Sequence, residues 1–297
     1  MCVKERLGEP AISIAVVIPT RNREKFLEQI LEDLESQTIL PKYIVIVDSS
    51  EFSFMPQNQN NGLTLLRTSV KSAAQQRNLG LEYLKKFKNE FEYTAFLDDD
   101  IRIDKDYLQV LTQNLATDGK VVGISGLAIS AREPRLRNNW LLRWIGMSGK
   151  EGELTKGAIN IPIRSQSKLT KVDWLIGCSV WKSSALDTIR FQSDFVGQSI
   201  FEDVIFSVEV SRLGDLIVNP EVRINHLLVQ ENRPNEYTNY FFWVKNRFRL
   251  KSIAPDKITV WKFVIVNFLV ASKLLIHGKF SGFTGIIFAM ARLKSAR

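Results

Sequence analysis

The run Phe96-Leu97-Asp98-Asp99-Asp100-Ile101 places three consecutive carboxylates at the end of an apolar stretch, Tyr93 to Leu97. Packing gives no reason for this, because two carboxylates about 5 Å apart repel by roughly 3 kcal/mol at an effective dielectric of about 20. A divalent cation turns that repulsion into attraction, since hard metals such as magnesium take oxygen ligands. A solvated acidic turn would also account for an isolated triplet, so its meaning depends on what else the chain brings to the same place. A second acidic pair, Glu202-Asp203, opens an apolar segment with helical character. An acid there can cap exposed N–H groups and suit the helix dipole, or it can take a proton from a hydroxyl as a general base.

The elements that must position these acids alternate in type. Ile14 to Ile18 is a continuous, largely β-branched run, the pattern of a strand buried on both faces, and Pro19-Thr20-Arg21-Asn22 breaks it. Phe26, Leu27, Ile30, Leu31 and Leu34 recur at helical spacing, which predicts an amphipathic helix. Tyr43 to Val47 reads as a second buried strand ending at Asp48, Leu63 to Leu66 as a short strand, and Ala73 to Phe87 as a helix. Tyr93 to Leu97 is the strand that carries the triplet. This alternation predicts an α/β domain with a mixed, mostly parallel sheet and helices on both faces. Ligands of such sheets bind beyond the carboxyl ends of the strands. Thr20, Asp48 and Asp98 to Asp100 each lie just past such an end.

The second half is less regular. Val121 to Ile124 reads as a strand, 132–164 as a long polar loop region with room for a short helix, and Val172 to Ser179 as a strand or turn. A short helix is expected near Lys182 to Ile189. The helix opened by Glu202 has Val204, Ile205, Val208 and Leu213 on its apolar face, with Gly214 in a C′ position. Leu216 to Val218 and Val222 to Ile224 read as two short strands, the latter leading to His226.

With 297 residues and 45% apolar content, the chain can bury one large core or a core plus a small extension. Cys2 and Cys178 are too few for a disulfide framework, and Met1 to Ala11 lacks the apolar run of a signal peptide, so a cytoplasmic protein is expected. The net charge of +8 is concentrated: from Tyr240 onward eleven Lys/Arg face a single acid, Asp256. The expected division is a leader over 1–11, an α/β domain over 12–230 and a helical, basic and apolar extension over 231–297. Neither Val260 to Ile276 nor Phe280 to Leu293 is a clean spanning helix, which needs about 20 apolar residues. Interleaved charge and Trp, Phe and Leu suit a helix lying in the plane of an anionic bilayer, here the inner face of the membrane. A helical cap on the domain or an oligomer contact is the alternative. No recognisable nucleic-acid module accompanies the basic tail, so no nucleic-acid partner is expected.

From Ile14 to His226 the ordered motifs resemble glycosyltransferase family 2, inverting enzymes of the GT-A fold. Val16 to Arg23 is similar to the family's opening nucleotide-binding strand, Asp48 to its base-contacting Asp, and Gln76-Arg77-Asn78-Leu79-Gly80 to its Arg-Asn-x-Gly segment. Phe96 to Asp100 looks like its DxD metal motif, Trp174-Leu175-Ile176-Gly177 like its acceptor-side loop, and Phe201-Glu202-Asp203 like its catalytic Glu-Asp pair. The resemblance implies a metal-dependent transfer of a sugar from a UDP- or dTDP-sugar to a hydroxyl of a glycan or lipid-linked acceptor, with manganese or magnesium as cofactor. It implies Asp203 as base with Glu202 orienting the site, and Pro19, Thr20, Arg21, Asp48, Arg77 and Asp98 around the nucleotide sugar. Asp100, with Asp98 and His226, would hold the metal, while Trp174 and Gly177 would face the acceptor. Asp99 is expected to point away and to be replaceable. Ile205 and Glu209 stand where the family usually has an Asp and an Arg. Gln230-Glu231-Asn232-Arg233-Pro234 lacks the Trp of the Gln-x-x-Arg-Trp motif of processive synthases, so non-processive hexosyl transfer is expected. A sugar nucleotidylyltransferase would need a glycine-rich loop where Pro19 to Arg23 has no glycine. A non-catalytic nucleotide- or glycan-binding relative would have no need of both acidic clusters.

Overall fold

The computed structural model describes residues 12–52, 62–129, 139–164, 166–195, 199–227 and 235–293. The expected leader and the Gln230 to Pro234 segment lie outside the described residues. In chain order the strands are β1 Ile14–Thr20, β2 Tyr43–Asp48, β3 Leu63–Arg67, β4 Tyr93–Phe96, β5 Ile101–Ile103, β6 Val121–Ile129, β7 Thr170–Val172, β8 Ser179–Lys182 and β9 Asp215–His226. The helices are α1 Glu24–Glu35, α2 Ala73–Leu84, α3 Tyr107–Thr117, α4 Trp140–Trp144, α5 Glu202–Val210, α6 Glu236–Phe248, α7 Leu250–Ile253, α8 Val260–Ile276 and α9 Phe280–Leu293.

The strands form one mixed sheet in the order β3-β2-β1-β4-β8-β6-β9-β5, with β7 also pairing β9. β3, β2, β1 and β4 run parallel, β8 is antiparallel to both β4 and β6, and β6 and β9 are parallel. Because strand side chains alternate, Ile14, Val16 and Ile18 join α1 and α3 in one core, while Ala15 and Val17 face α2 and α5 in the other. α2 comes very close to β1: a Cβ on Gly80 would meet Val17 Cγ1 at 2.4 Å. Only glycine permits that approach, which brings Arg77, one turn earlier, against the sheet edge.

Three details differ from the sequence reading. The two short strands expected over 216–224 are one strand, β9, whose register against β6 jumps between Gly126 and Leu127, so Pro220 falls in an irregularity and does not end the strand. Leu213 is exposed and leaves the apolar face of α5. Gly214 does not adopt the left-handed conformation of a C′ glycine. It is small because the Lys120 carbonyl and the Val122 side chain pack where its Cβ would be.

The tail is helical, and its inner residues Val244, Leu250, Phe263, Ala271 and Ile286 belong to the same core as α2 and α5. No helix among the described residues is long and apolar enough to cross a membrane. Arg247 of α6 is fully buried at the join. It donates to the carbonyls of Ala158 (2.7 Å) and Gly157 (2.7 Å) and to Asn267 Oδ1 of α8 (3.0 Å), and its guanidinium stacks 3.7 Å from the Trp243 ring centroid. Burial lowers its pKa to about 9, so it remains charged at neutral pH. Arg247→Met would leave two buried carbonyls and an amide without their donor. Denaturant unfolding should show a loss of about 3–5 kcal/mol; an unchanged midpoint would mean that this seam does not hold the tail.

Candidate active site

The carboxyl ends of β1 and β4 meet the start of α5 around a cleft of about 370 Å³. Its wall includes Pro19, Thr20, Arg21, Arg77, Asp98, Asp100, Gly177, Glu202, Asp203 and His226, all singled out from the sequence, together with Arg23, Lys71, Gln76 and Asp99. Sheet register brings Asp100 and His226 together: Ile101 pairs with His226, and the Leu227 N–H donates to the Asp100 carbonyl at 2.9 Å. Asp98, Asp100 and His226 each offer a ligand atom, all within 4.8 Å of one another. Two carboxylates and an imidazole form a donor set that suits a divalent cation of the manganese or magnesium kind, so the residues present fit the expected metal.

Arg77 organises the opposite wall. It is buried within α2 and bonds Asp98 Oδ1 through Nη2 at 2.6 Å and Glu202 Oε1 through Nη1. Burial works to raise the Asp98 pKa, but the Arg77 guanidinium, with His226 and the Cys178 thiol, outweighs it and holds this carboxyl below its ordinary value. Arg77 Nε and Glu202 Oε2 are buried without a hydrogen-bond partner among the described residues, polar capacity that a bound ligand can use. Gly177 is part of this arrangement: a Cβ there would sit 3.0 Å from Arg77 Nη2 and 3.5 Å from Asp98 Oδ2.

Asp99 is the clearest departure from expectation. Its side chain does not point away; it is buried and accepts hydrogen bonds from Thr20 Oγ1 (2.7 Å) and Arg23 Nη1 (2.8 Å). Arg23 also reaches Asp100 Oδ2 at 3.0 Å. Burial raises the Asp99 pKa to about 6, with Arg23 and Thr20 opposing that rise. Gln76 completes the frame by donating to the carbonyls of Thr20 (2.9 Å) and Val47 (2.7 Å).

Asp203 lies in the first turn of α5, where the helix-end alternative also places it, and it lines the cleft as well. The N-cap of α5 is Phe201, in the left-handed region at φ 72°, and Asp203 Oδ1 accepts the neighbouring Val204 N–H at 2.8 Å. A left-handed Phe is strained by about 1–3 kcal/mol. Ser199 before it is also left-handed at φ 54° and accepts from Ala74 N at 3.2 Å, at the start of α2. The two strained residues turn the chain into α5 with Glu202 and Asp203 lining the cleft. Burial pushes the Asp203 carboxyl up to about 6.

Two expected residues sit elsewhere. Asp48 reaches the same sheet edge beside Thr20 but does not line the cleft; it is buried, with Oδ1 bonded to the N–H of Ser50 (2.7 Å) and Oδ2 paired with Arg67. Trp174 is a core residue lining a neighbouring cavity of about 260 Å³ that adjoins the cleft at His226. Its indole N–H is buried without a partner among the described residues. Arg23, Gln76 and Cys178 were not singled out from the sequence, and their partners lie too far along the chain for spacing to reveal them. Arg23 and Gln76 carried a signal, as the last residue of the Val16 to Arg23 stretch and the first of the Gln76 to Gly80 stretch.

Among solved structures, a chain described as GalNAc-T7 with UDP, GalNAc and Mn2+ is similar over 89% of this chain, with a TM-score of 0.54 and 13% identity. S. aureus TarS is similar over 81% of this chain, with a TM-score of 0.49 and 15% identity. The chain spans 58% and 40% of those two chains' own lengths. At such identity the first likeness is one of fold, and it is the GT-A arrangement of a mixed, mostly parallel sheet between helices. No curated protein sequence matches the chain. The profile described as "Glycosyl transferase family 2" matches residues 15–170, more than half of the chain and the part carrying β1, Arg77 and the Asp triplet. The protein therefore belongs to glycosyl transferase family 2.

Proposed function

We propose that this glycosyltransferase moves a hexosyl group, with inversion, from a nucleoside-diphosphate sugar of the UDP or dTDP kind to a hydroxyl of a glycan or lipid-linked acceptor, one transfer at a time. The observation that carries the reading is the convergence of Asp98, Asp100 and His226 on the cleft that also holds Asp203. Arg21, Lys71 and Arg77 line the same cleft and suit a diphosphate, Arg through its planar fork and Lys as a point charge. Asp98, Asp100 and His226 would hold a divalent cation, which supplies neutralisation of the charge on the leaving diphosphate.

The chain's own residues do the rest. Asp203 takes the proton of the acceptor hydroxyl as its oxygen bonds to the anomeric carbon and the bond to the diphosphate oxygen breaks. Glu202, fixed by Arg77, orients that wall. Asp99 positions Arg23 and Thr20, and through Arg23 the Asp100 carboxylate. Asp48 with Arg67 forms the floor under the nucleotide end of the sheet edge, and the cavity beside Trp174 is on the acceptor side. The nucleotidylyltransferase reading finds no support in the turn after β1, which has no glycine.

Thermal melts with a panel of nucleotide sugars, with and without manganese or magnesium, test the donor. A donor at 100 times its dissociation constant stabilises by about 2.7 kcal/mol, and this gain should require the metal and disappear in Asp100→Ala. Stabilisation by none of the donors would remove the catalytic reading.

Asp203→Asn should bind donor normally yet lose about 10²–10⁴-fold in turnover; near-wild-type transfer would place the base elsewhere. With its carboxyl at about 6, wild-type turnover should rise with pH through that value and then level off. The sign for stability is opposite. A carboxyl raised from 3.8 to about 6 binds its proton more tightly in the fold, so its contribution to stability falls as pH rises between those values. Finally, Asp99→Ala should weaken metal-dependent activity about 10–100-fold, as loss of a residue that orients metal ligands does, measured as a higher metal concentration for half-maximal rate. Unchanged metal dependence would restore the view of Asp99 as replaceable.

A further inference from the structure

A helix packed on one side normally turns a polar face to water. α8 does not. Phe263, Val266, Asn267, Ala271 and Leu274 are buried against the body, whereas its outer side carries Trp261 (45% exposed), Phe268 (54%), Leu275 and Ile276 (81%). The 3.6-residue period puts these on one outward stripe with Ile265 and Ser272. The stripe is continued by a segment from far away in the chain: Trp144 of α4 meets Trp261 at 5.3 Å between ring centroids, and Trp140 beside it is 79% exposed.

We propose that this composite face is a docking surface for an anionic lipid bilayer, with α8, about 25 Å long, lying in the plane of the headgroups. Charge selects that occupant. Lys262 and Lys273 stand about three turns apart along one flank of the stripe, and Arg143 is exposed on α4 beside it. Aromatic rings with a polar edge settle at the boundary between headgroups and acyl chains, and lysines beside them meet anionic headgroups. A second copy of the chain fits less well. A two-fold contact places the same patch on both partners, and with its axis running across α8 this basic flank would face its own like charge. Docking of this kind stands independently of the chemistry in the cleft.

The test is co-sedimentation of the full chain with vesicles of phosphatidylcholine alone and of phosphatidylcholine with phosphatidylglycerol, read together with tryptophan emission. The chain should bind the anionic vesicles, less so as salt is raised, with a blue-shifted emission that brominated acyl chains quench. The triple variant Trp261→Ser, Phe268→Ser, Ile276→Ser should lower the bound fraction at least about tenfold, and Lys262→Glu with Lys273→Glu should remove the preference for anionic lipid. Circular dichroism checks that both variants fold, and the quenching of the unaltered chain needs no variant. Binding to neither vesicle, binding indifferent to both variants, or light scattering showing a dimer that the triple variant dissolves would each overturn the proposal.

Discussion

One buried guanidinium holds the site together. Arg77 reaches from α2 to Asp98, just past β4, and to Glu202 at the head of α5. These two acids come from segments more than a hundred residues apart, and nothing else named in the wall spans them. Removing one member of a buried charge pair leaves the other uncompensated, a loss of about 3–5 kcal/mol, so Arg77 fixes two walls at once. The fold is shaped around it. Gly80 lets α2 close on β1, and the missing side chain of Gly177 leaves room for the guanidinium. Lysine, a point charge on a flexible stem, could not bridge two carboxylates with a planar fork.

The aspartate triplet follows from that frame. Three adjacent carboxylates cannot all face one cation, and here they divide between two tasks. Asp98 and Asp100 turn to His226, while Asp99 turns inward to Thr20 and Arg23. Arg23 bonds both Asp99 and Asp100, so the inward member sets the position of one outward member. The like-charge repulsion that made the triplet conspicuous is thus relieved by two arginines from α2 and from the turn after β1, and the pKa directions agree. Asp98, paired with Arg77, is held low, while Asp99 and Asp203, with desolvation dominant, are raised.

How much of this was legible in the sequence depends on the range of the interactions. Strands buried on both faces announce themselves as unbroken apolar runs, so β1, β2 and β4, with the chemistry at their ends, could be read directly. β9 could not, because Pro220 looks like a terminator and only pairing with β6 reveals the irregularity that absorbs it. Thr20, Arg77, Asp98, Asp100, Glu202, Asp203 and His226 were identified and do converge. The inward turn of Asp99 was hidden, since a loop residue carries no periodicity from which to read its direction. Arg23 and Cys178 were hidden because their partners lie 76 and 80 positions away. Trp174 was placed correctly along the chain, but its burial in the core depends on how Leu175 is tied to Ser207, a contact between segments that local pattern cannot supply.

Arg247 carries the same lesson into the tail. Counted in the sequence it is one of many tail cations, yet among the described residues it is the tail cation that is fully buried. Its hydrogen bonds tie α6 to the Gly157 and Ala158 carbonyls and, through Asn267, to α8. A buried polar contact of this kind discriminates rotations of a helix more sharply than apolar packing, because a small turn orphans a donor and an acceptor that apolar neighbours cannot satisfy. With Asn267 held inward, the period of the helix obliges Ile265, Leu269, Ser272 and Ile276 to face the other way. The exposed apolar stripe of α8 is therefore not loose packing that a slight rotation would heal. Rotating it inward would break the Arg247 and Asn267 bond, so the outward placement of those side chains is specified by the same interaction that attaches the tail.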